Sequence, residues 1–268
     1  MDQYGLIGEK LTHSFSPLIH KIILKELNKE GPYNLFEIQK RHLKDEIEKF
    51  KIANIKGVNV TIPYKTDIMP YLDHISDEAM RIGAVNTLDF KDSKIIGYNT
   101  DYYGFGRMLD RNHVEIKNKK AVILGTGGAS KAVNTYLLDH GIKEIVFVSR
   151  GVRKEKLDIN CISYDEVDTL KEYEIVINCT PCGMYPHIEA SPLKKETILK
   201  FETAIDLIYN PLETLFLNNA KEGNLKTING LYMLVGQAVA SQEIWNGINI
   251  DPNICDLIYN KVLGGLSL

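Results

Sequence analysis

The run Lys120-Ala121-Val122-Ile123-Leu124, entering Gly125-Thr126-Gly127-Gly128-Ala129-Ser130, constrains this chain more than any other feature. A short, mostly apolar segment of this kind reads as a strand buried on both faces, as in a parallel sheet. Ala129, Ala132, Val133, Tyr136 and Leu137 then recur at helical spacing, and Gly141 stands where a left-handed cap stops a helix. Strand, glycine turn and helix in that order open a doubly wound unit. The glycines let the backbone turn tightly and approach a pyrophosphate, which meets free N–H groups at the positive end of the helix. Gly125, Gly127, Gly128 and Ala129 are therefore the candidate dinucleotide cradle, with Ser130 at the third position of the pattern, small but not glycine.

The next strand, Glu144-Ile145-Val146-Phe147-Val148, bears on which dinucleotide is bound. An NAD site usually carries Asp or Glu at its end for the ribose 2′-hydroxyl. Here stand Ser149 and Arg150, with Arg153 and Lys154 close behind. A guanidinium binds a phosphate in bidentate fashion, so this turn favours NADP over NAD.

The chain has 268 residues, enough for two ordinary domains whose cores need no covalent staples. Strand patterns near 121, 145, 160, 175 and 204 alternate with helix patterns, as a parallel doubly wound sheet requires. The expected fold is α/β: an N-terminal α/β substrate domain over 1–110, completed by C-terminal helices in 230–268, plus a Rossmann domain over 111–229. The polar run Asp110 to Lys119 is the expected boundary. Within the first domain, strands are expected at 4–8, Tyr33 to Ile38 and Val58 to Ile62, with Gly83 to Leu88 pairing Lys94 to Tyr98 around Lys91-Asp92-Ser93. Ser16-Pro17 reads as an N-cap with Pro at the first helical position, and Leu43 to Phe50 as an amphipathic helix. Asn99-Thr100-Asp101 leads into a helix through Leu109, and Leu231 to Trp245 and Asn253 to Leu263 are two late helices with no strand between them. A cleft is expected between the first domain's strand ends and the glycine turn.

A net charge of −3 with mixed signs shows no basic face for nucleic acid. No apolar stretch approaches the roughly 20 residues of a membrane span, and Met1-Asp2-Gln3-Tyr4-Gly5 lacks the charged start of a signal, so a cytoplasmic protein is expected. Cys179-Thr180-Pro181-Cys182 matches C-x-x-C, but it ends an apolar strand inside the nucleotide unit and has no second pair for a metal, so neither redox chemistry nor a metal site is expected.

The segment Val58-Asn59-Val60-Thr61-Ile62-Pro63-Tyr64-Lys65 carries the chemistry. Alternation puts Val58, Val60 and Ile62 on one face and Asn59 and Thr61 on the other. A hydrogen-bonding pair at a strand end with an ammonium just beyond suits a small hydroxylated or carbonyl substrate that must be held and protonated. An edge strand with a solvated Lys is the alternative.

Several further motifs stand in one order: His13-Ser14-Phe15-Ser16-Pro17, Asn59-Val60-Thr61-Ile62-Pro63-Tyr64-Lys65, Gly83-Ala84-Val85-Asn86-Thr87, Asn99-Thr100-Asp101-Tyr102-Tyr103-Gly104, Asn178-Cys179-Thr180-Pro181-Cys182-Gly183-Met184, Asp206-Leu207-Ile208-Tyr209-Asn210-Pro211, and Gly230 to Ala238. In this register the chain resembles the shikimate dehydrogenases almost end to end. It departs from them at Glu9-Lys10-Leu11, where the family often has N-P-I, and at Ser149-Arg150-Gly151, where the family's N-R-T clamp keeps only its Arg.

The resemblance implies NADP-dependent interconversion of shikimate and 3-dehydroshikimate, a step of aromatic amino acid and chorismate biosynthesis. Lys65 and Asp101 are implied as the catalytic pair. Ser14 and Ser16, with Tyr209, are implied to bind the substrate carboxylate, and Asn59, Thr61, Asn86 and Gln237 its ring hydroxyls. For Ser16, capping alone is the competing reading. Thr180, Met184 and Gly230 are implied on the nicotinamide side, although Met184 and Met233 also suit a core. His13 is not taken as an acid or base. A monomer or homodimer with a small-molecule substrate is expected, with no nucleic acid or membrane partner. Two other readings stay open: a quinate/shikimate dehydrogenase using NAD, and a non-catalytic NADP-binding regulator on the same fold.

Overall fold

The computed structural model describes residues 1–11, 14–53, 55–151 and 160–266. Apolar strands alternate with amphipathic helices from the start: β1 (Gln3–Gly8), α1 (Ser16–Glu26), β2 (Tyr33–Glu37), α2 (Leu43–Ile52) and β3 (Ile55–Val60). Next come β4 (His74–Ile75), α3 (Asp77–Ile82), β5 (Thr87–Lys91), β6 (Lys94–Tyr98) and α4 (Thr100–Arg111). The middle of the chain holds β7 (Lys120–Leu124), α5 (Gly128–Asp139), β8 (Glu144–Val148), β9 (Cys161–Ile162), β10 (Ile175–Asn178), α6 (Lys195–Ile198), β11 (Thr203–Asp206), α7 (Leu215–Glu222) and β12 (Lys226–Asn229). Then α8 (Leu231–Asn246) and α9 (Pro252–Leu266) follow. The residues group into two compact units, Met1–Gly104 with Val235–Leu268, and Phe105–Leu234. The division falls after Gly104 in α4 and after Leu234 in α8, where the expected boundaries were 110 and 229, and each helix runs unbroken through it.

The first unit holds a mixed sheet of order β2-β1-β3-β5-β6-β4. β1 pairs β2 and β3 in parallel, and β5 runs antiparallel to both β3 and β6. The β5–β6 hairpin turns at Asp92 and Ser93, both at positive φ (51° and 60°), as a tight hairpin connection needs. One sheet face is buried against α2, with Val58, Val60, Leu88 and Ile95 packed with Leu43, Ile47 and Phe50. Trp245 of α8 stacks on Tyr4 at 5.1 Å and donates Nε1–H to the Leu88 carbonyl at 2.8 Å. That packing needs a glycine at position 57, where a Cβ would lie 2.0 Å from Trp245 Nε1. Gly57→Ala is therefore expected to destabilise this unit by about 1–3 kcal/mol, the usual cost of overpacking, in urea unfolding followed by the fluorescence of the chain's one tryptophan.

The second unit is a wholly parallel sheet of order β12-β11-β10-β7-β8-β9. Numbered along the unit and read from β9, the order is 3-2-1-4-5-6, that of dinucleotide-binding folds, whose ligand crevice opens where the winding reverses. Here the reversal lies between β7 and β10.

Several local expectations are corrected. β3 ends at Val60: Thr61 N–H makes the last ladder bond, to the Ile7 carbonyl at 2.9 Å, and Tyr64 N–H then returns to the Thr61 carbonyl at 3.0 Å, starting a turn. The alternation stops there, and Ile62, expected on the same face as Val58 and Val60, is 77% exposed while those two are buried. α1 begins at Ser16 itself: Phe15 holds the cap position without a side-chain bond, so Ser16 does not cap the helix. Gly83 is in the left-handed conformation (φ 70°) as the C-cap of α3, so the hairpin strand starts only at Thr87. β4, α3 and β12 were not anticipated; β12 buries only Ile228, which gives no alternation to read.

Candidate active site

In the first unit, Lys65 lies in the turn after β3, and Asp101 in the first turn of α4. Lys65 Nζ donates to Asp101 Oδ2 at 2.6 Å, with the side chains 24% and 14% exposed. Val85 N–H bonds the Lys65 carbonyl at 2.7 Å, pinning that turn to the segment before β5. An ammonium has three donors, so the bond to Asp101 leaves two for a ligand.

Beside the pair lies a buried polar floor drawn from β3, β5, α4 and α8. Asn86 Oδ1 accepts from Thr100 N–H at 2.7 Å, Thr100 Oγ1 at 3.1 Å and Thr87 Oγ1 at 3.0 Å. Its Nδ2 makes no hydrogen bond among the described residues, so the amide is oriented with its donors unspent. Asn59 is the reverse case. Its Nδ2 donates to Ser241 Oγ at 2.8 Å and Thr87 Oγ1 at 3.0 Å, while Tyr33 donates to its Oδ1 at 2.8 Å. Both its N–H donors are thus spent on the protein, leaving one lone pair on Oδ1. Gln237 Oε1 is 3.5 Å from Thr100 Oγ1, and Ser241, one turn on, donates to the Gln237 carbonyl at 3.0 Å. Asn59, Asn86, Thr87, Thr100 and Ser241 are all buried. The structure therefore brings Lys65 and Asp101 together, and joins Asn59, Asn86 and Gln237 through Thr87, Thr100 and Ser241, which sequence reasoning did not single out. Thr87 and Thr100 lie inside quoted motifs, and Ser241 follows Gln237 by four residues on one helix; those are the signals that pointed to them.

Thr61, directly after β3, is half-buried. Ser14 Oγ accepts the Ser16 N–H at 3.2 Å, and both serines are half-buried. Burial holds the Tyr33 phenol far above its usual range, against a smaller opposing effect of the Ser16 side chain. His20 stacks on Tyr33 at 4.1 Å and takes a hydrogen bond on Nδ1 from Gln242; burial pushes its pKa down to about 3, so the ring is neutral. His13 lies outside the described residues.

In the second unit, β7 runs straight into the glycine turn. Gly125 has φ 97°, and a Cβ there would lie 2.9 Å from Thr180 Cγ2, so both backbone and space require glycine. At Gly127 and Gly128 a Cβ would meet nothing within 4 Å, which leaves open space over the start of α5. The first N–H groups of α5, from Gly128 and Ala129 onward, have no partner within the helix and carry its positive end. Ser130 turns inward to bond the Gly127 carbonyl at 2.7 Å, so its hydroxyl does not fill that space. The residues present fit a pyrophosphate.

Ser149 follows β8 directly, and Arg150 is exposed, its charge acting on Tyr164 and Cys182. No carboxylate ends β8. Arg153 and Lys154 lie outside the described residues. Thr180 is fixed by its N–H and Oγ1 bonds to Asn178 Oδ1 at 3.0 and 2.6 Å. Met184 is 45% exposed, whereas Met233 is core. Gly230 is a packing glycine, since a Cβ there would lie 2.0 Å from the Leu207 carbonyl oxygen. Tyr209 is half-buried, and burial raises its phenol. Burial also raises the Cys179 and Cys182 thiols, the reverse of what a redox pair needs.

A family model for the shikimate dehydrogenase substrate binding domain matches residues 6–88. A protein of Clostridium beijerinckii named shikimate dehydrogenase (NADP(+)) is 51% identical over 264 residues, 97% of each chain. A chorismate mutase/shikimate 5-dehydrogenase fusion protein from Clostridium acetobutylicum superposes with a TM-score of 0.93 at 53% identity, covering 97% of this chain and 96% of that one. A shikimate 5-dehydrogenase from Thermus thermophilus, solved in complex with NADP(H) and shikimate, gives 0.86 at 31% identity, covering 97% of this chain and 99% of the other. Half of the residues are shared with relatives over nearly their whole length, and the same two folds carry them, so this chain belongs to the shikimate dehydrogenase family.

Proposed function

We propose that this chain is a cytoplasmic NADP-dependent shikimate dehydrogenase, which interconverts 3-dehydroshikimate and shikimate. The observation that carries the reading is the 2.6 Å Lys65–Asp101 pair beside an Asn86 amide whose donors are unspent, in a chain of this family.

NADPH, when bound, supplies the hydride that reduces the ring ketone. The reduction leaves negative charge on the ketone oxygen; the Lys65 ammonium stabilises it and gives the oxygen a proton from Nζ. In the oxidative direction Nζ takes that proton back. Asp101 holds Nζ in place. Asn86, Gln237 and Thr61 bind the ring hydroxyls. Asn59, with both N–H groups committed, contributes its remaining lone pair and orients Ser241 and Thr87. Ser14 and Ser16 hold the carboxylate with neutral hydroxyls; with Ser16 released from capping, its hydroxyl suits this task. Tyr209 joins them on the family resemblance alone.

Gly125, Gly127, Gly128 and Ala129 cradle the pyrophosphate. Ser149 and Arg150 take the adenosine phosphate, with Arg153 and Lys154 assigned to it from the sequence, and Thr180, Met184 and Gly230 lie on the nicotinamide side. The missing carboxylate after β8 favours NADP over NAD. Arg150→Ala is expected to raise the KM for NADP about tenfold and leave that for NAD unchanged, the loss of one charged phosphate contact. An unchanged ratio of the two would remove this assignment.

The protein acts as a monomer or homodimer on a small molecule, with neither nucleic acid nor membrane as partner; the mixed surface charge supports this, and no helix among the described residues is long and apolar enough to cross a membrane. The deciding experiment mixes the purified protein with shikimate or quinate and with NADP or NAD. The expected result is NADPH absorbance rising with shikimate and NADP. NADP binding without turnover of either acid identifies a regulator instead.

A further inference from the structure

The first unit contains a cavity of about 450 Å³ that shares no residue with the candidate site. Asp89, Tyr98, Tyr103 and Ile244 are on its wall, together with Lys91 and Glu243. Asp89 faces Ile96 in the β5–β6 ladder and stands two residues along β5 from Thr87, on the same face. The Thr87 hydroxyl reaches Ser241 of α8 at 3.1 Å, so Asp89 also points to the α8 side of the sheet. It is only 7% exposed, yet among the described residues its carboxylate has no hydrogen bond and no ion pair. Burial raises its pKa, with Lys91 and Lys56 opposing. A buried carboxylate is ordinarily paired. Lys91 lies at the cavity but is exposed and forms no ion pair with Asp89. Glu243 is already engaged, accepting the Ile250 N–H at 2.8 Å.

The partner that Asp89 lacks is therefore a cation entering from the cavity. No group of three or more metal-ligating side chains occurs among the described residues, which argues against a metal ion. Tyrosine rings beside the carboxylate suit an organic cation, attracted by their faces, and Ile244 suits its apolar body. The volume lies in the range of small-molecule sites. We propose that this cavity binds a small organic primary ammonium compound, with its nitrogen on Asp89 and its body against Tyr98, Tyr103 and Ile244.

The test is an amide NMR titration of the intact protein with phenethylammonium and n-butylammonium, against 2-phenylethanol and 1-butanol as neutral counterparts. The ammonium compounds are expected to shift the amides of Asp89, Ile96, Tyr98 and Ile244 and to bind about tenfold or more tightly than the alcohols. Asp89→Asn is expected to remove that advantage and leave alcohol binding and the circular dichroism spectrum unchanged. Lys91→Met removes a like charge from the wall and is expected to strengthen ammonium binding. Equal affinity for ammonium and alcohol, no shifts at millimolar concentrations, or an ammonium affinity indifferent to Asp89→Asn each overturns the proposal.

Discussion

Lys65→Met is expected to lower kcat for shikimate oxidation by about 10²- to 10⁴-fold, the usual contribution of a positioned proton-transfer group, with NADP binding unchanged. The substitution keeps the length of the side chain and removes only the charge and the donors. Because the pair with Asp101 is partly exposed, its loss is expected to change stability by no more than about 1 kcal/mol, so activity and folding separate cleanly. Asp101→Asn leaves the ammonium in place but weakens its anchor, and a smaller fall in kcat is expected. In the double variant Lys65→Met/Asp101→Asn the two losses are not expected to add, since a residue that acts by holding Lys65 has nothing left to hold. Steady-state kinetics of the four proteins decide the matter. A Lys65→Met enzyme within about tenfold of the parent would remove Lys65 from the chemistry altogether.

The dinucleotide unit was legible because its determinants are local. An apolar strand, the glycines and a helical stripe stand consecutively, and the tight turn expected of the glycines is present in the φ of 97° at Gly125, whose close approach to Thr180 only the structure shows. The substrate unit was legible only in part. Lys65 and Asp101 each stand in a quotable motif, but the floor beneath them joins Asn59, Asn86, Thr87, Thr100 and Ser241 across up to 182 positions. Nothing in the sequence alone shows which amide spends its donors inside the protein. That distinction between Asn59 and Asn86 is a product of packing, as is the turning of Ile62 to solvent where Tyr64 N–H folds back onto the Thr61 carbonyl. Ser16 misled for a related reason: Ser-Pro is a good helix start, but here the helix begins one residue earlier than a serine cap requires.

The second large effect lies in the other unit. Asp206 ends β11 fully buried, accepting Asn178 Nδ2 at 3.0 Å, Ile208 N–H at 3.1 Å and Thr214 Oγ1 at 2.6 Å, while Thr214 caps α7 by accepting Leu217 N–H. The three donors favour the carboxylate, but burial outweighs them and raises the pKa from 3.8 to about 6. A carboxyl whose pKa is higher in the folded state binds its proton more tightly there, so the fold gains from acid between those two values. Stability from this group is therefore greatest below pH 3.8, falls as pH rises toward 6, and stays at its lower level above. A shift of this size corresponds to about 3 kcal/mol. Asp206→Asn cannot titrate. Relative to the parent it is expected to gain about 3 kcal/mol between acid and neutral pH, even though an amide facing three donors costs stability at every pH. Amide exchange in β10 and β11 at a series of pH values measures this within the unit itself. If the stability difference between the two proteins stays constant from pH 3.8 to above 6, Asp206 is ionised throughout and its hydrogen bonds outweigh its burial.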